Sequence, residues 1–334
     1  MLKRYLLVII ILFSSISIAQ PQFSEMSVKP GAFSRMGYGA RGIGMGNAMS
    51  AVIEGELVSY YNPAVTVFQD GNSFLTGYSF LGLDRSLNFL SFTRRFDFYS
   101  KKDSLVENPK PRNSAGISVG LINSGVSNID GRDNNGLSTG ELSTSENQFF
   151  LALANRFSEK FSIGVTAKLY YYKLFEEITT TNLGFDIGAI YRVNEEFTIS
   201  LALIDLNSKY EWDTSPVYEQ DGAVTKDKFP TLRKIGVSYF NQAIGLLASL
   251  EFENSSSETN ILRGGIEYNI YNGFYLRGGI DQFNLSNTDW PVRPSLGFSF
   301  YKSFGSLVVG VDYAFVIEEY SSSDRHIIGL DFNF

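Results

Sequence analysis

The stretch LVVGVDYAFV, residues 307–316, alternates between two kinds of side chain along its whole length. Large apolar residues occupy every odd position, and glycine, aspartate and alanine lie between them, with a valine at each end of the intervening series. Residues two apart share one face of a β-strand, so the stretch predicts a strand with one apolar and one polar face. The same pattern recurs in ILRGGIEYNI (261–270) and FSIGVTAKLYY (161–171). A soluble β-sandwich produces the same alternation, so one strand does not decide the fold.

The number of strands and the lengths of their connections are more informative. Fourteen strands are predicted, at 73–83, 87–98, 114–123, 147–157, 160–172, 182–193, 196–206, 230–241, 243–253, 259–269, 273–283, 293–302, 306–316 and 325–334. Tight connections fall at 158–159, 194–195, 241–242, 271–272 and around 304–305. Longer connections fall at 124–146, 173–181, 207–229, 254–258, 284–292 and 317–324.

An even strand number, with short turns at one end and long loops at the other, is typical of bacterial outer-membrane barrels. We therefore predict an all-β protein whose residues 73–334 form a transmembrane antiparallel β-barrel. The connection 99–113 is the exception, because it places a longer segment among the short turns.

The beginning of the chain resembles a secretory signal. Lys3 and Arg4 precede an apolar run at 6–13, and Ser17-Ile18-Ala19 supplies small residues at the usual cleavage spacing. A retained signal anchor is the alternative, but the run is shorter than the roughly 20 apolar residues that span a membrane. We predict a cleaved signal peptide at 1–19, export, and a location in the outer membrane of a Gram-negative bacterium.

The composition excludes several functions. The chain has no cysteine, so disulfides, cysteine-ligated metals and a lipidated N-terminal cysteine are excluded. A net charge of −7 argues against nucleic acid as a partner. The single histidine, His326, has no candidate nucleophile on a strained turn near it. We predict no enzymatic activity, no metal site and no cofactor, and leave open a calcium site at Asp130 and Asp133 in the connection 124–146.

The polar faces of the predicted strands carry ten charged residues. They are Lys168, Asp186, Lys234, Glu251, Arg263, Glu267, Arg277, Asp281, Asp312 and Asp331. Charges of both signs inside a closed barrel predict a buried salt-bridge network, and a polar conduit is the alternative. Tyrosines near the strand ends, among them Tyr170 and Tyr301, are predicted to form an aromatic girdle at the membrane interfaces.

Residues 20–72 lack sustained alternation and are rich in small residues, as in GARGIGMGNA (39–48). Neither the dinucleotide-binding pattern nor the phosphate loop is complete there. Small residues allow close backbone packing, so we predict that this segment forms a plug, or hatch, inside the barrel.

The stretch GARGIGMGNAMSAVIEGELVSYYNPA (39–64) resembles the beginning of the FadL-like outer-membrane barrels, in particular the branch called PorV/PorQ. The resemblance continues in FPTLRKIGVSYF (229–240), LRGGIEYNIYNGFYLRGGI (262–280), PSLGFSFYKSFGSLVVGVDYAF (294–315) and HIIGLDFNF (326–334). It implies a fourteen-stranded barrel with an N-terminal hatch. The implied hatch motif comprises Arg41, Met45, Gly46, Asn62, Pro63 and Ala64.

Two positions depart from the pattern of this family. Its acidic pair stands here as Glu54-Gly55-Glu56, and Val65 replaces a glycine, so the hatch is expected to pack differently. The end of the chain, with Gly329, Phe332 and Phe334, resembles the signature that the barrel assembly machinery recognises. An ordinary last strand is the other interpretation, and both can hold.

Three functions follow from the resemblance. Members of the PorV/PorQ branch are accessory proteins of type IX secretion, which dock components of the secretion system or secreted cargo. FadL-type members transport hydrophobic, fatty-acid-like molecules passively, and a general porin or structural barrel is the third possibility. The sequence favours the secretion accessory, with the hydrophobic transporter as the alternative and with outer-membrane lipid as a partner in either case.

Overall fold

The computed structural model describes residues 25–83, 85–99 and 111–334. The predicted signal peptide and most of the connection 99–113 lie outside these residues.

Fourteen antiparallel strands close into a barrel, which confirms the predicted fold. They are β1 (Asn72–Phe80), β2 (Ser86–Phe98), β3 (Asn113–Arg132), β4 (Ser138–Ser158), β5 (Phe161–Lys173), β6 (Thr179–Arg192), β7 (Phe197–Leu206), β10 (Leu232–Asn241), β11 (Leu246–Ser255), β12 (Asn260–Tyr271), β13 (Phe274–Asn284), β14 (Arg293–Phe304), β15 (Leu307–Val316) and β16 (Arg325–Asn333). The barrel closes between β1 and β16, where Gly77 pairs with Gly329. Two further strands, β8 (Lys209–Asp213) and β9 (Val224–Lys228), form a separate sheet.

The alternation of the sequence decides which side of each strand faces out. Along β7, Leu201 is 55% exposed on the outer side, whereas Ser200 beside it is 1% exposed and points inward. An apolar outer surface around a polar interior is the arrangement that a bilayer requires of a barrel. The connections at one end of the barrel, called here the short-turn end, include 159–160, 193–196 and 305–306. The longer ones lie at the other end, called the long-loop end, except for the connection between β2 and β3.

Two of the predicted long loops contain strands. The predicted loop 124–146 is wrong, because β3 and β4 continue as a paired hairpin with its turn at 133–137, beyond their neighbours β2 and β5. The alternation fades there because both faces of the hairpin are exposed, so no apolar side marks the strands. The connection 207–229 holds β8 and β9, whose five residues each are too short to establish a pattern.

The candidate calcium ligands do not converge. Asp130 forms an ion pair with Arg132 at 2.6 Å, and Oδ1 of Asp133 accepts hydrogen bonds from the backbone N–H groups of Asn135 and Leu137. Within residues 25–83, 85–99 and 111–334, no group of three or more acidic or histidine side chains is arranged to hold a metal ion.

The N-terminal segment, defined here as residues 25–71, consists of short helices and turns. It contains 3-10 helices at Glu25–Val28, Ala32–Arg35 and Pro63–Phe68, and the α-helix α1 at Gly39–Gly44. The loop between β8 and β9 holds α2 (Ser215–Tyr218) and a 3-10 turn, Glu219–Asp221. In the described part of the chain, no helix is long and apolar enough to cross a membrane.

The N-terminal segment packs against the inward faces of strands on opposite sides of the barrel. Thr66 lies against Gly116 of β3, Asn62 against Gly188 of β6, and Gly44 against Gly297 of β14. Its apolar side chains, such as Tyr38 and Met45, belong to the same buried cluster as Phe89, Ile122 and Phe150 of the wall. The core of the molecule therefore lies inside the barrel, between this segment and the inner wall.

Gly46 is the position where the segment depends most on glycine. Its φ is +60°, and a Cβ atom there would lie 2.6 Å from the backbone nitrogen of Ile280 and 2.7 Å from the carbonyl oxygen of Gly264. We expect Gly46→Ala to lower the free energy of unfolding by more than about 1 kcal/mol, measured by urea unfolding in lipid vesicles. Gly305→Ala is the matched control, because φ is +67° there but no atom lies within 4 Å of the added Cβ. If both variants lower the free energy of unfolding equally, the contact of Gly46 with the wall contributes nothing to stability.

Candidate functional site in the barrel lumen

Arg41 of the predicted hatch motif joins the N-terminal segment to β12. Its Nε and Nη2 donate to the two carboxylate oxygens of Glu267 at 2.9 and 2.8 Å, and the side chain of Arg41 is 5% exposed. Its Nη1 donates to the carbonyl oxygens of Glu54 and Glu56, at 2.8 and 3.0 Å. A bidentate, buried arginine–carboxylate pair is both strong and directional, so it fixes the position of α1 against the wall.

The Glu54-Gly55-Glu56 departure from the family pattern forms the turn that receives Arg41. Gly55 has a φ of +75°, and a Cβ atom there would lie 2.7 Å from the Arg41 guanidinium. Burial raises the pKa of the Glu54 carboxyl above its usual value. The Glu56 carboxylate accepts hydrogen bonds from the Tyr301 hydroxyl at 2.9 Å and from Nδ2 of Asn333 at 3.0 Å.

Asn62, Pro63 and Ala64 form a capped turn. Oδ1 of Asn62 accepts from the backbone N–H of Ala64 at 3.0 Å, and Pro63 occupies the first position of the 3-10 helix, where no N–H is needed. Nδ2 of Asn62 donates to the carbonyl oxygen of Ser50, and Ser162 of β5 donates to the carbonyl oxygen of Ala64. The turn is thereby attached both to the rest of the segment and to the wall.

The ten charged residues predicted for the lumen are all buried on the inward face. The first group, called the Lys168 cluster, places Nζ of Lys168 2.9 Å from carboxylate oxygens of both Asp186 and Asp205. The hydroxyl of Tyr170 donates to Asp205 at 2.6 Å. One cation therefore serves two carboxylates beneath the long-loop end.

The second group, the Arg263 cluster, lies on β10–β13. Arg263 contacts Glu251 at 3.3 Å, Glu253 at 3.0 Å and Asp281 at 2.6 Å. Lys234 contacts the same two glutamates at 3.1 and 3.3 Å. Two cations and three carboxylates therefore pair with one another here.

In the third group, Arg277 bridges Glu267 and Asp312, so the ion pair of Arg41 is extended into β13 and β15. Asp331 lies beside Asp312 of the third group but forms no ion pair, because no cation among the described residues lies within ion-pair distance of it. Its Oδ2 is instead 3.3 Å from the Tyr301 hydroxyl.

Several residues of the lumen were missed by the sequence analysis. Glu253 follows Glu251 by two positions, so the alternation itself could have found it. Asp205 could not be found in this way. The alternation of β7 predicts that its side chain points outward, but a φ of +60° and a register shift in the β6–β7 pairing turn the side chain inward. Tyr170 and Tyr301 are not girdle residues: both share the inward parity of their strands and donate hydrogen bonds to lumen carboxylates.

A cavity of about 610 Å³ opens at the long-loop end of the lumen. Apolar and aromatic side chains of three loops line its mouth, namely Leu83, Trp290 and Tyr320. Deeper, Lys168, Lys234 and Arg263 line it, while Asn47 and Tyr61 of the N-terminal segment contribute to its floor. Of the carboxylates in the first two clusters, only Glu253 is among the described residues that line the cavity, so the clusters present mainly their cations to it.

A second hollow of about 880 Å³ lies on the outer, lipid-facing surface over β10–β13. Leu250, Ile266, Leu276 and Ile280 line it. The wall behind it carries four glycines in adjacent positions of β12 and β13: Gly264, Gly265, Gly278 and Gly279.

Met45 and Gly46 lie directly behind these glycines. A Cβ atom at Gly265 would lie 2.2 Å from the carbonyl oxygen of Met45. Asn47, the next residue, lines the cavity and donates from Nδ2 to Asp281 at 2.9 Å. The turn 45–47 and a wall of glycines therefore stand between the cavity and the outer hollow.

The predicted assembly signal lies in the strand that closes the barrel. Gly329 pairs with Gly77, the ring of Phe332 lies 6.1 Å from that of Phe74, and Phe334 is 54% exposed. These contacts account for a last strand, and recognition by the assembly machinery stays a prediction.

Comparisons with known proteins were made on sequence and on structure. No protein-family model and no curated protein matches the sequence. Among solved structures, the toluene transporter TodX of Pseudomonas putida superposes with a TM-score of 0.59 at 11% identity, over 89% of this chain and 99% of that one. The toluene transporter TbuX of Ralstonia pickettii gives 0.55 at 13%, over 89% and 97%, and a FadL homologue of Pseudomonas aeruginosa gives 0.52 at 12%, over 89% and 98%. At such identities the likeness concerns the fold alone, and the chain has the barrel fold of these FadL-type proteins.

Proposed function

We propose that the chain is a protein of a Gram-negative outer membrane that passively transports small hydrophobic molecules. One observation carries this proposal: the short turn 45–47 and the glycine-rich backbone of β12 and β13 separate a cavity open to the long-loop end from an apolar hollow open to the membrane. The N-terminal segment would act as the hatch between the two spaces.

The cavity suits a ligand that is apolar along most of its length. Leu83, Trp290 and Tyr320 would receive such a ligand from the outside, because they expose large apolar surface around the mouth. The deeper cations Lys168, Lys234 and Arg263 are already paired with carboxylates, so the apolar mouth is the part of the cavity that would select the ligand.

The proposed exit is lateral, through the wall at β12 and β13. Glycines there place no side chain between the segment and the outer hollow, so only backbone remains in between, and a movement of residues 45–47 together with a local separation of β12 from β13 would connect the two spaces. The ligand would then pass sideways into the lipid. It would not have to cross the ion clusters that lie between the cavity and the short-turn end.

The sequence favoured a secretion accessory, and the fold comparisons support transport better. The solved structures that share the fold of this chain include toluene transporters. Absence of catalysis likewise stays a prediction, supported by the transport function of these neighbours.

The experiment is an uptake assay with laurate and toluene in cells that lack their own transporter for such compounds. Gly278→Leu fills the outer hollow without a clash, since the nearest side-chain atom to its Cβ is 3.9 Å away. We expect this variant to slow uptake several-fold, whereas Ala167→Leu, which adds the same side chain to the lipid-facing surface of β5, leaves uptake unchanged. Equal uptake by both variants would exclude the lateral exit, and no uptake by the unaltered chain would exclude the transport function.

A further inference from the structure

The connection between β7 and β10 forms a small body of its own, called here the lid hairpin and defined as residues 207–229. It contains β8, α2, a 3-10 turn and β9, and its two strands pair only with each other among the described residues. It is therefore not part of the hydrogen-bonded wall of the barrel.

The inner face of the lid hairpin is aromatic. Tyr210 and Trp212 are buried, and each ring centroid lies 5.2 Å from that of Tyr172 on β5. Phe229, at the base of the hairpin, packs against Tyr210 at 4.9 Å and against Tyr170 at 4.8 Å. Since Tyr170 belongs to the Lys168 cluster, the hairpin covers that cluster from the outside.

Few polar contacts attach the lid hairpin to the wall. Among the described residues, one hydrogen bond joins its strands to the barrel, from the backbone N–H of Glu211 to Oγ1 of Thr180 at 3.1 Å. All five residues of β9 are exposed, and the pair between Lys226 and Glu211 lies on the outer surface. Aromatic packing on one side is thus the main interaction that holds the hairpin closed.

The base of the hairpin has the geometry of a hinge. Asp205 and Asn207 both have a φ of +60°, on either side of Leu206, and this pair of left-handed residues turns the chain out of the wall. Hinges are a few residues at the ends of elements that absorb changes in φ and ψ. On the other side of the base, Pro230 restricts the backbone because its ring fixes φ.

Two buried polar groups at this place lack a hydrogen-bond partner in the described part of the chain. They are the hydroxyl of Tyr210 and the side-chain amide of Gln148, which pairs across the strands with Tyr170. A buried polar group without a partner is destabilising, and contact with water removes that penalty. Opening of the hairpin would expose the Tyr210 hydroxyl to water, and the hydrogen bonds gained there offset part of the free energy lost when the aromatic side chains leave their contacts.

We propose that the lid hairpin opens about residues 205–207 and that the open state connects the Lys168 cluster directly to the outside. Because Lys168 also lines the cavity, the opening would enlarge the access route for ligands longer than the closed mouth admits. The consequence for transport rests on the proposed function, whereas the movement itself does not.

The movement is tested first, without any ligand. The chain has no cysteine, so Lys226→Cys on the lid hairpin and Asn287→Cys on a loop at the cavity mouth can carry two spin labels in lipid vesicles. We expect two separate populations of distances in pulsed electron paramagnetic resonance. A single narrow population overturns the proposal, whatever the chain transports.

The access route is tested by locking the lid. Thr179→Cys with Glu211→Cys places two accessible thiols on β6 and β8, which a short cross-linker containing a disulfide can join, and Asp130→Cys with Glu141→Cys is the matched control across the β3–β4 hairpin. We expect the lock to slow uptake of palmitate several-fold more than uptake of toluene, with recovery under a reducing agent and no such effect in the control pair. Equal slowing of both ligands, or none of either, overturns the role in access. If two distance populations are found but the chain transports nothing, the movement of the lid hairpin is supported and the proposed function is excluded.

Discussion

We expect Arg41→Ala to lower the free energy of unfolding by about 3 to 5 kcal/mol, the cost of breaking a buried ion pair by removing one partner. The substitution removes two hydrogen bonds to Glu267 and leaves the carbonyl oxygens of Glu54 and Glu56 without their donor. The N-terminal segment loses its bidentate attachment to β12 as a result. Urea unfolding in lipid vesicles, followed by tryptophan fluorescence, measures the change.

Arg132→Ala is the control for this prediction. Arg132 also forms a short ion pair, with Asp130, but both side chains are more than half exposed, so the pair contributes about 0 to 1 kcal/mol. If the two variants lose the same stability, Arg41 does not hold the segment in the way described.

The second large effect is expected for Lys168→Met. It leaves Asp186 and Asp205, both at most 1% exposed, without a cation, and buried carboxylates without a partner cost about 3 to 5 kcal/mol. The triple variant Lys168→Met, Asp186→Asn, Asp205→Asn is expected to recover part of this loss, because no uncompensated charge then remains. The same unfolding measurement serves for both variants.

Lys209→Met provides the comparison for the single variant, because the pair of Lys209 with Glu211 is partly exposed on the lid hairpin. A triple variant as unstable as Lys168→Met alone would show that the loss comes from packing rather than from charge.

Period-two alternation predicted the strands, and their even number together with the alternating lengths of their connections predicted the barrel. The alternation placed strand boundaries within three residues of the observed ones, apart from the extended hairpin of β3 and β4. It succeeds because a lipid-facing side must be apolar at every second residue, whatever the partner strand is. It fails where both faces of a strand meet water, as at β9 and the tip of the β3–β4 hairpin, and where a strand is as short as the five residues of β8.

Alternation also predicted which charges point inward but not which of them meet. Arg41 and Glu267 are separated by 226 positions, and their pairing depends on how the N-terminal segment folds inside the closed barrel. Asp205 required a left-handed backbone that no pattern of apolar residues marks. The cavity depends on the same features, so the sequence predicted a polar lumen but not the position of its open part.

The central claim is that the cavity binds hydrophobic molecules, and the fluorescence of Trp290 tests it most directly. The chain has two tryptophans, so Trp212→Phe leaves Trp290, at the cavity mouth, as the single reporter. Titration of this variant with laurate in detergent-free vesicles is predicted to change the Trp290 fluorescence in a saturable manner. Trp290→Phe, which retains Trp212 beneath the lid hairpin, is predicted to show a smaller change. A Trp290 signal that does not saturate, or that stays constant, would contradict the assignment of this cavity as the binding site.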